Sequence, residues 1–285
     1  MINILIILLI KIFSFFPLYI LRFVAYIIYH INNLFFRYRY KIVERNLKIA
    51  FPSFSNKKHQ EIKEKFYRRF FNVLMEIIKM YSISSRFINK KVIFENTEVI
   101  NKYLDKNQSI ILLSGHYNNW EWVGQKLALS TDKEVVVIYK KLNNLILNNF
   151  LLKIRSKFGA NPISMKESIR YLLKTKNTCQ IIGIIADQNP IVNDTTKWIN
   201  FLNNETPVFL GPEKIAKKMN YPVLFCNMKI NSDNIYSIKF EVISEEPSND
   251  QKITEKYFNF LEKQIKENPQ YWLWSHNRWK HKRKK

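Results

Sequence analysis

The fold of this chain is decided by the stretch SIILLSGHYNNWEW (109–122). Its first six residues form an uncharged run of strand length that is rich in apolar side chains. Gly115 and His116 follow directly, and an apolar stretch of helical length begins at Trp120. The pattern predicts a buried strand, a turn that contains a histidine, and then a helix.

The same alternation continues along the chain. Further strands are predicted where short runs of apolar and β-branched residues occur, at 134–139, 180–186, 222–230 and 235–243. Helices are predicted at 120–130, 142–158, 164–175, 212–219 and 250–269. Ser164 and Glu167 have the spacing of a capping box at the start of the third of these helices. Strands that alternate with helices indicate an α/β fold, a central mixed sheet flanked by helices.

The first 31 residues are strongly apolar, but Lys11 and Arg22 interrupt them, so no uncharged run of about 18 residues exists. Pro17 would kink a continuous helix between the two cations. Two arrangements remain open: one tilted span whose cations reach the interface, or a helix pair that lies in the interface. A buried helical hairpin of a soluble protein is the alternative. We expect an N-terminal apolar, membrane-associating helical region.

Three regions follow from these patterns. Residues 1–35 form the apolar membrane-anchoring or interfacial region, and residues 93–285 form the α/β catalytic domain. Between them, residues 36–92 form a helical region whose long amphipathic helix repeats apolar side chains every four residues, at Ile62, Phe66, Phe70, Leu74 and Ile78.

The charge is strongly positive, with 46 Lys and Arg against 23 Asp and Glu and a formal net charge of +23. Such a surface attracts nucleic acid, anionic lipid or an acidic protein. A basic cluster of Arg37, Arg39, Lys41 and Arg45 follows the apolar N-terminus directly, which is typical of a cytoplasmic membrane face. The two cysteines have no short-range partner, which excludes a disulfide framework and the common cysteine-based zinc patterns.

His116 and Glu121 are the candidate acid–base pair. On a regular helix a five-residue offset separates two side chains by about 140°, but a histidine in the turn could meet a glutamate in the first helical turn. A carboxylate on Nδ1 would leave Nε2 free as a general base. From the spacing alone, a capping box of Asn118 and Glu121 beside a loop histidine explains the pattern slightly better. No nucleophile elbow and no cysteine beside a histidine is present, which favours direct transfer over a covalent intermediate.

Six ordered segments resemble the late (secondary) lipid A acyltransferases of the lysophospholipid acyltransferase superfamily. SGHYNNWEW looks like their His-x4-Glu motif, and the resemblance runs nearly end to end. The other five segments are VERNLKIAFP (43–52), RSKFG (155–159), ADQNP (186–190), PVFLGPEKIA (207–216) and NPQYWLWSHNRWK (268–280).

The resemblance implies a membrane-bound acyltransferase of lipid A, and hence lipopolysaccharide, biosynthesis. It would move a fatty acyl chain from acyl carrier protein to a hydroxyl of a lipid A precursor, on the cytoplasmic face of the inner membrane. His116 would be the general base, Glu121 its orienting partner and Asp187 a third acid. Arg155 would steady either the thioester oxyanion or a phosphate of the acceptor. The acyl thioester is a co-substrate, so neither a cofactor nor a metal is expected.

The resemblance also implies substrate contacts for Asn119, Trp120, Gln188 and Gly211. Gln188 could equally be part of the scaffold, and Gly211 before Pro212 is explained by a helix start alone. The segment YWLWSHNRWK (271–280) is predicted to be a closing strand whose aromatic side chains pack on the domain. Asn118 stands where related sequences often have glycine, and asparagine tolerates a positive φ.

Three other functions remain open. The same chemistry could serve another envelope glycolipid or an amino-acid lipid as acceptor. A basic nucleic-acid-binding protein would carry its cations on one face and would have no reason for an apolar N-terminus. Because this chain has such an N-terminus, no nucleic-acid partner is expected. An inactive membrane scaffold would not need His116, Glu121, Arg155 and Asp187 together.

Overall fold

The computed structural model describes residues 2–283, with side chains from residue 5. Its N-terminal part is helical, and Pro17 separates the first two helices as predicted, because it cannot donate a backbone hydrogen bond. A π-helical turn spans Asn32–Phe36. The helices of this part are α1 (Ile2–Phe15), α2 (Leu18–Ile31), α3 (Tyr40–Ala50), α4 (Asn56–Lys79) and α5 (Ser85–Lys91).

The rest of the chain builds a seven-stranded sheet and a separate two-stranded hairpin. The strands are β1 (Val92–Phe94), β2 (Ile110–Ser114), β3 (Glu134–Tyr139), β4 (Asn161–Ser164), β5 (Gln180–Ile185), β6 (Trp198–Phe201), β7 (Asn204–Pro207), β8 (Val223–Ile230) and β9 (Tyr236–Ser244). The sheet order is β1-β9-β8-β2-β5-β3-β4, and β6 pairs with β7. Only the β8–β9 pair of the large sheet is antiparallel within the described residues, so the predicted mixed α/β fold is confirmed.

The central strands place the site. β2 and β5 run parallel in the middle of the sheet, with Ser114 opposite Ile185 at their carboxyl ends. Their residues are largely buried, which is why both read as continuous apolar runs rather than alternating ones. The residues that follow β2 and those that follow β5 therefore leave the same edge of the sheet side by side.

Six more helices surround the sheet: α6 (Glu98–Leu104), α7 (Trp120–Leu129), α8 (Leu145–Arg155), α9 (Ser168–Lys174), α10 (Gly211–Met219) and α11 (Ile253–Glu267). The helix predicted from residue 142 starts later, because the Asn144 side chain caps it by accepting from two backbone amides. The capping box predicted at Ser164 is wrong. Ser164 ends β4, and its hydroxyl donates to the Glu167 side chain instead.

The C-terminal segment is not a strand, which corrects the prediction. A 3₁₀ turn at Pro269–Tyr271 leads into irregular backbone, with one isolated bridge between Tyr117 and Trp272. The Asn46 side chain donates to the carbonyls of Trp274 (2.9 Å) and His276 (2.8 Å), taking acceptors that a ladder would need. The aromatic packing was predicted correctly, since the indoles of residues 272, 274 and 279 are buried.

The N-terminal helices expose a broad apolar surface. α2 buries Leu18, Leu21, Ala25 and Tyr29, while its other faces stay exposed. The helical stretch Leu18–Phe36 is long and apolar enough to cross a membrane, and 22% of its apolar window is buried. So little burial argues against the alternative of a buried hairpin. One hydrophobic core contains residues from Leu18 to Trp279, so all three predicted regions contribute to it. The region boundaries at residues 35 and 92 stay predictions.

Candidate active site

His116 and Asp187 form a hydrogen-bonded pair at the carboxyl edge of the sheet. His116 lies two residues beyond β2 and Asp187 two residues beyond β5. The Nδ1 of His116 is 2.5 Å from Oδ1 of Asp187, and the His116 backbone amide donates to Oδ2 at 2.8 Å. These two bonds fix both the place and the rotation of the imidazole, so its Nε2 points away from the carboxylate.

Asp187 is buried and yet held in its ionised form. Burial alone would raise its pKa, but the charge on His116, the hydrogen bonds from His116 and the indole N–H of Trp272 outweigh it and lower the pKa of Asp187 to about 2. The indole Nε1 of Trp272 is 2.8 Å from Oδ2. A carboxylate with three N–H donors can stabilise an imidazolium without taking its proton.

Glu121 does not orient His116, which corrects the expected pairing. The helix α7 starts at Trp120, and its first turn directs Glu121 toward the end of α8. Arg155 donates from Nε to Oε2 of Glu121 at 2.9 Å and from its second terminal nitrogen to Oε1. Burial would lower the pKa of Arg155, but the Glu121 carboxylate outweighs burial and raises it. The guanidinium and the carboxylate thus satisfy each other, and they join α7 to α8.

A cavity of about 290 Å³ opens beside His116. One wall is apolar and comes from α4, whose apolar lining residues are Phe66, Phe70, Val73, Leu74 and Ile77. The other end is polar and includes Arg39, His116, Gln188 and His276. The Nε2 of His116 is 3.3 Å from the amide nitrogen of Gln188. This arrangement can place an apolar chain along α4 and a reacting hydroxyl at the imidazole.

The expected substrate-contacting residues separate into two groups. Trp120 and Gln188 line the cavity, and the Trp120 ring meets the His116 ring edge-on at 4.9 Å between centroids. Asn119 has 0% exposure, and its side-chain oxygen Oδ1 caps α7 by accepting from the Trp122 backbone amide at 3.1 Å. Gly211 starts α10 against the ring of Phe209 and is not among the lining residues. Neither Asn119 nor Gly211 lines the cavity, and direct substrate contact by these two residues stays a prediction.

A buried polar network behind the turn that carries His116 was missed from sequence. Arg69 and Glu76, both on α4, form a two-bonded ion pair with distances of 2.9 and 3.2 Å. Arg69 also donates to Oδ1 of Asn118 at 3.0 Å, and the Asn119 amide donates to Glu76 at 3.0 Å. Asn118 has a φ of 50°, the left-handed conformation that asparagine was expected to tolerate. The signal was a glutamate inside the apolar run VLMEII (73–78).

A second polar cluster meets the cavity at His276. The Asn189 side-chain amide lies 3.1 Å from Nε2 of His276, and Arg278 donates to Oδ1 of Asn189 at 2.9 Å. Burial lowers the pKa of His276 to about 4, so this imidazole is neutral near pH 7. The cluster ties the loop after β5 to the C-terminal segment. These residues hold the loop that carries Asp187 and Gln188.

One of the comparisons with known proteins gives a family for this chain. The family model for bacterial lipid A biosynthesis acyltransferases matches residues 1–281, almost the whole chain. A search of curated proteins gave no match. A match of that length, together with an apolar-walled cavity beside a histidine–carboxylate pair, identifies this chain as a member of the bacterial lipid A biosynthesis acyltransferase family.

Proposed function

We propose that this protein transfers a fatty acyl chain from acyl carrier protein to a hydroxyl of a lipid A precursor, with His116 as the general base. The observation that supports this most is the His116–Asp187 pair at the polar end of an apolar-walled cavity. The coarser activity, acyl transfer in lipid A biosynthesis, follows from the family. The donor, the base and the acceptor hydroxyl are the proposal.

The proposed reaction needs one proton relay. Nε2 of His116 takes the proton of the acceptor hydroxyl while the hydroxyl oxygen attacks the carbonyl carbon of the thioester. The π electrons of that carbonyl move to the carbonyl oxygen. When the tetrahedral intermediate collapses, the C–S bond breaks and the leaving thiolate receives the proton from Nε2. Asp187 stabilises the imidazolium between these two steps. The amide of Gln188, 3.3 Å from Nε2, is placed beside the reacting atoms.

Arg155 has a different place in this proposal from the one expected. Its Nε and one terminal nitrogen donate to Glu121, so the fork that would hold an oxyanion or a phosphate is already occupied. We propose that Glu121 and Arg155 act together by fixing α7, the helix that begins directly after the catalytic turn. The reaction needs no cofactor beyond the acyl thioester, which is a co-substrate.

The proposed setting is the cytoplasmic face of the inner membrane. The exposed apolar residues of α1, α2 and the π-helical turn would contact lipid. The net charge of +23 would attract both an acidic carrier protein and an anionic lipid acceptor. No nucleic acid is part of the proposal.

Mass spectrometry of lipid A and total envelope lipids from a strain that lacks this protein tests the proposal. The strain is complemented with wild type, with His116→Ala or with His281→Ala, a control that removes a histidine outside the cavity. We expect lipid A to lose one acyl mass, and wild type and His281→Ala to restore it. Loss of an acyl group from another lipid alone would move the acceptor to a different envelope lipid. Full restoration by His116→Ala would refute His116 as the base.

A further inference from the structure

The cavity carries a permanent positive charge at its polar end. Its lining contains two arginines, Arg39 and Arg69, and no Asp or Glu among the described residues. Arg69 is paired with the Glu76 carboxylate behind the lining, whereas Arg39 has no carboxylate partner within the described residues, so its charge favours an anionic ligand. The acyl thioester and the hydroxyl of the proposed reaction are both neutral, so neither accounts for this charge.

Only one of the two arginines is available to a ligand. Arg69 is buried, and its guanidinium is used by Glu76, Asn118 and Tyr236. Arg39 is exposed and donates from one terminal nitrogen to the carbonyl of Ser275 at 2.8 Å. Within residues 2–283, its other guanidinium nitrogens have no hydrogen-bond acceptor. The free edge of a guanidinium presents the planar pair of donors that a phosphoryl group accepts.

The backbone around Arg39 is fixed in an unusual conformation. Arg37 and Arg39 have φ values of 45° and 53°, in the left-handed region that residues with a Cβ rarely occupy. The segment is held there by three bonds: the Arg37 amide to the Asn32 carbonyl (2.7 Å), the Tyr38 amide to Oδ1 of Asn32 (3.0 Å) and the Tyr67 hydroxyl to the Tyr38 carbonyl (2.5 Å). Because both positions are constrained, Arg37 stays outside the cavity lining while Arg39 is held in it.

Arg39 also lies next to the surface that would meet lipid. Leu34, Phe35 and Phe36 are 71–75% exposed and lie three to five residues before Arg39 in the chain. A lipid whose acyl chains contact these residues would present its headgroup at the level of Arg39. The α4 wall of the cavity then leads from that headgroup position toward His116.

We propose that Arg39 binds a phosphoryl group of the acceptor lipid at the mouth of the cavity and so places the acceptor hydroxyl at His116. This inference rests on the proposed function. The phosphodiester in the thiol arm of the carrier protein offers the same chemistry, and the kinetic experiment below separates the two sources.

A binding experiment tests the site without any turnover. Protein in phosphatidylcholine nanodiscs is titrated with dodecyl phosphate or with uncharged dodecyl maltoside, both below their micellar concentrations. Binding is read from tryptophan fluorescence, since Trp120 and Trp272 line the same cavity. The variant is Arg39→Asn, because asparagine accepts a left-handed backbone, and the matched control is Arg37→Asn. Both variants lose one positive charge within the same segment.

We expect Arg39→Asn to weaken dodecyl phosphate binding by about tenfold or more, because one charge-assisted bidentate contact is lost. Arg37→Asn should bind like wild type, and dodecyl maltoside should not distinguish the three proteins. Equal weakening by Arg37→Asn would indicate a general charge effect and overturn the site. Wild-type affinity of Arg39→Asn would overturn it as well.

Steady-state kinetics then identify the source of the phosphoryl group. With a phosphorylated lipid A precursor, Arg39→Asn should raise the KM of the acceptor by about tenfold and leave the KM of the acyl carrier protein unchanged. With the same acceptor after enzymatic dephosphorylation, the variant and wild type should be alike. A rise in the donor KM instead would contradict the acceptor assignment. If wild type transfers no acyl group at all, the proposed function fails, while the binding experiment still decides on Arg39.

Discussion

The carboxylate of Asp187 accepts three hydrogen bonds, from the backbone amide of His116, the imidazole of His116 and the indole of Trp272. Both donor residues lie outside β5 and the loop that follows it. Neither His116 nor Trp272 is near Asp187 in sequence, and a parallel neighbour strand brings the first of them into place. Gly115 adds a packing constraint, because a Cβ there would lie 2.6 Å from Leu261 and 3.3 Å from Oδ2 of Asp187. The sheet thus brings His116 and Asp187 together, and α11 packs tightly against the turn that carries His116.

Asp187→Asn should reduce kcat by about 10²–10⁴-fold and change the KM of either substrate much less. The amide removes the negative charge that stabilises the imidazolium, and it no longer selects the tautomer with a free Nε2. Initial rates of acyl transfer at saturating substrates measure this effect. Asp132→Asn makes the same chemical change at an 84% exposed side chain and should leave kcat unchanged. Equal rates for Asp187→Asn and wild type would remove Asp187 from the mechanism.

The same residue gives the stability a specific dependence on pH. The pKa of Asp187 is about 2 in the fold, against about 3.9 in an unfolded chain. Its stabilising contribution is therefore complete above about pH 4 and is lost as the pH falls toward 2. We expect the difference in urea midpoint between wild type and Asp187→Asn to shrink over that range. A difference that is constant between pH 6 and pH 2 would contradict the assigned pKa.

Among the secondary-structure elements, α4 contributes to the candidate site through two of its faces. One face supplies the apolar wall of the cavity, and the Arg69–Glu76 pair holds Asn118 and Asn119 from behind. The helix also carries an exposed cluster in which Glu61 pairs with Lys65 at 2.6 Å and with Lys58 at 3.1 Å. Because Glu76 is buried and Glu61 is exposed, substitutions of these two glutamates form a matched comparison.

Glu76→Gln should destabilise the protein by about 3–5 kcal/mol, because the buried Arg69 charge then has no counterion. Glu61→Gln should change the free energy of unfolding far less, since its lysine partners are exposed to water. Chemical unfolding followed by tryptophan fluorescence compares them. Similar costs for both variants would show that the pair behind the turn contributes nothing special to folding.

Glu121 and Arg155 join α7 to α8, and their energies should not be additive. We expect Glu121→Gln and Arg155→Met each to destabilise the fold, and the double variant to cost less than their sum by about 0.5–3 kcal/mol. Unfolding midpoints of the four proteins complete the double-mutant cycle. Strict additivity would mean that the two side chains act independently.

Local patterns predicted the elements that depend on local sequence. The strand before His116 and the helix after it were found because apolar runs are short-range signals, but the cap was placed one residue too early, since Asn119 and not Asn118 caps α7. β4 was missed because NPIS (161–164) has a proline and one large apolar residue, as an edge strand can tolerate. The partner of His116 was misassigned because the adjacency of β2 and β5 is a property of the sheet, which no spacing along the chain reveals.

On the scale of the whole molecule, apolar exposure is concentrated in the N-terminal helices. Their exposed residues include Phe15, Tyr19, Phe23, Phe35 and Phe36, whereas the central strands bury theirs. The composition indicated this region, but it did not indicate that residues 38 and 39 would enter the cavity. That placement depends on the left-handed backbone between the π-helical turn and α3.

Replacement of Phe35 and Phe36 by serine should weaken binding to vesicles by at least about tenfold, since each phenyl group loses apolar burial. Co-sedimentation with vesicles that contain anionic lipid measures the effect. Ile191→Ser changes a side chain that is 94% exposed but lies in the loop after β5, and it should bind like wild type. Unchanged sedimentation of the double serine variant would place the lipid contact elsewhere.

The C-terminal segment has a consequence for how the protein is made. The apolar helices precede Trp272 and Leu273 in the chain and therefore leave the ribosome before them. Trp272 donates to Asp187, and the Leu273 amide donates to the His116 carbonyl at 3.0 Å. A nascent chain can therefore reach a membrane before its histidine is locked in place. We expect a chain cut before residue 269 to sediment with vesicles and yet transfer nothing, so that acylation begins only once synthesis has passed this segment.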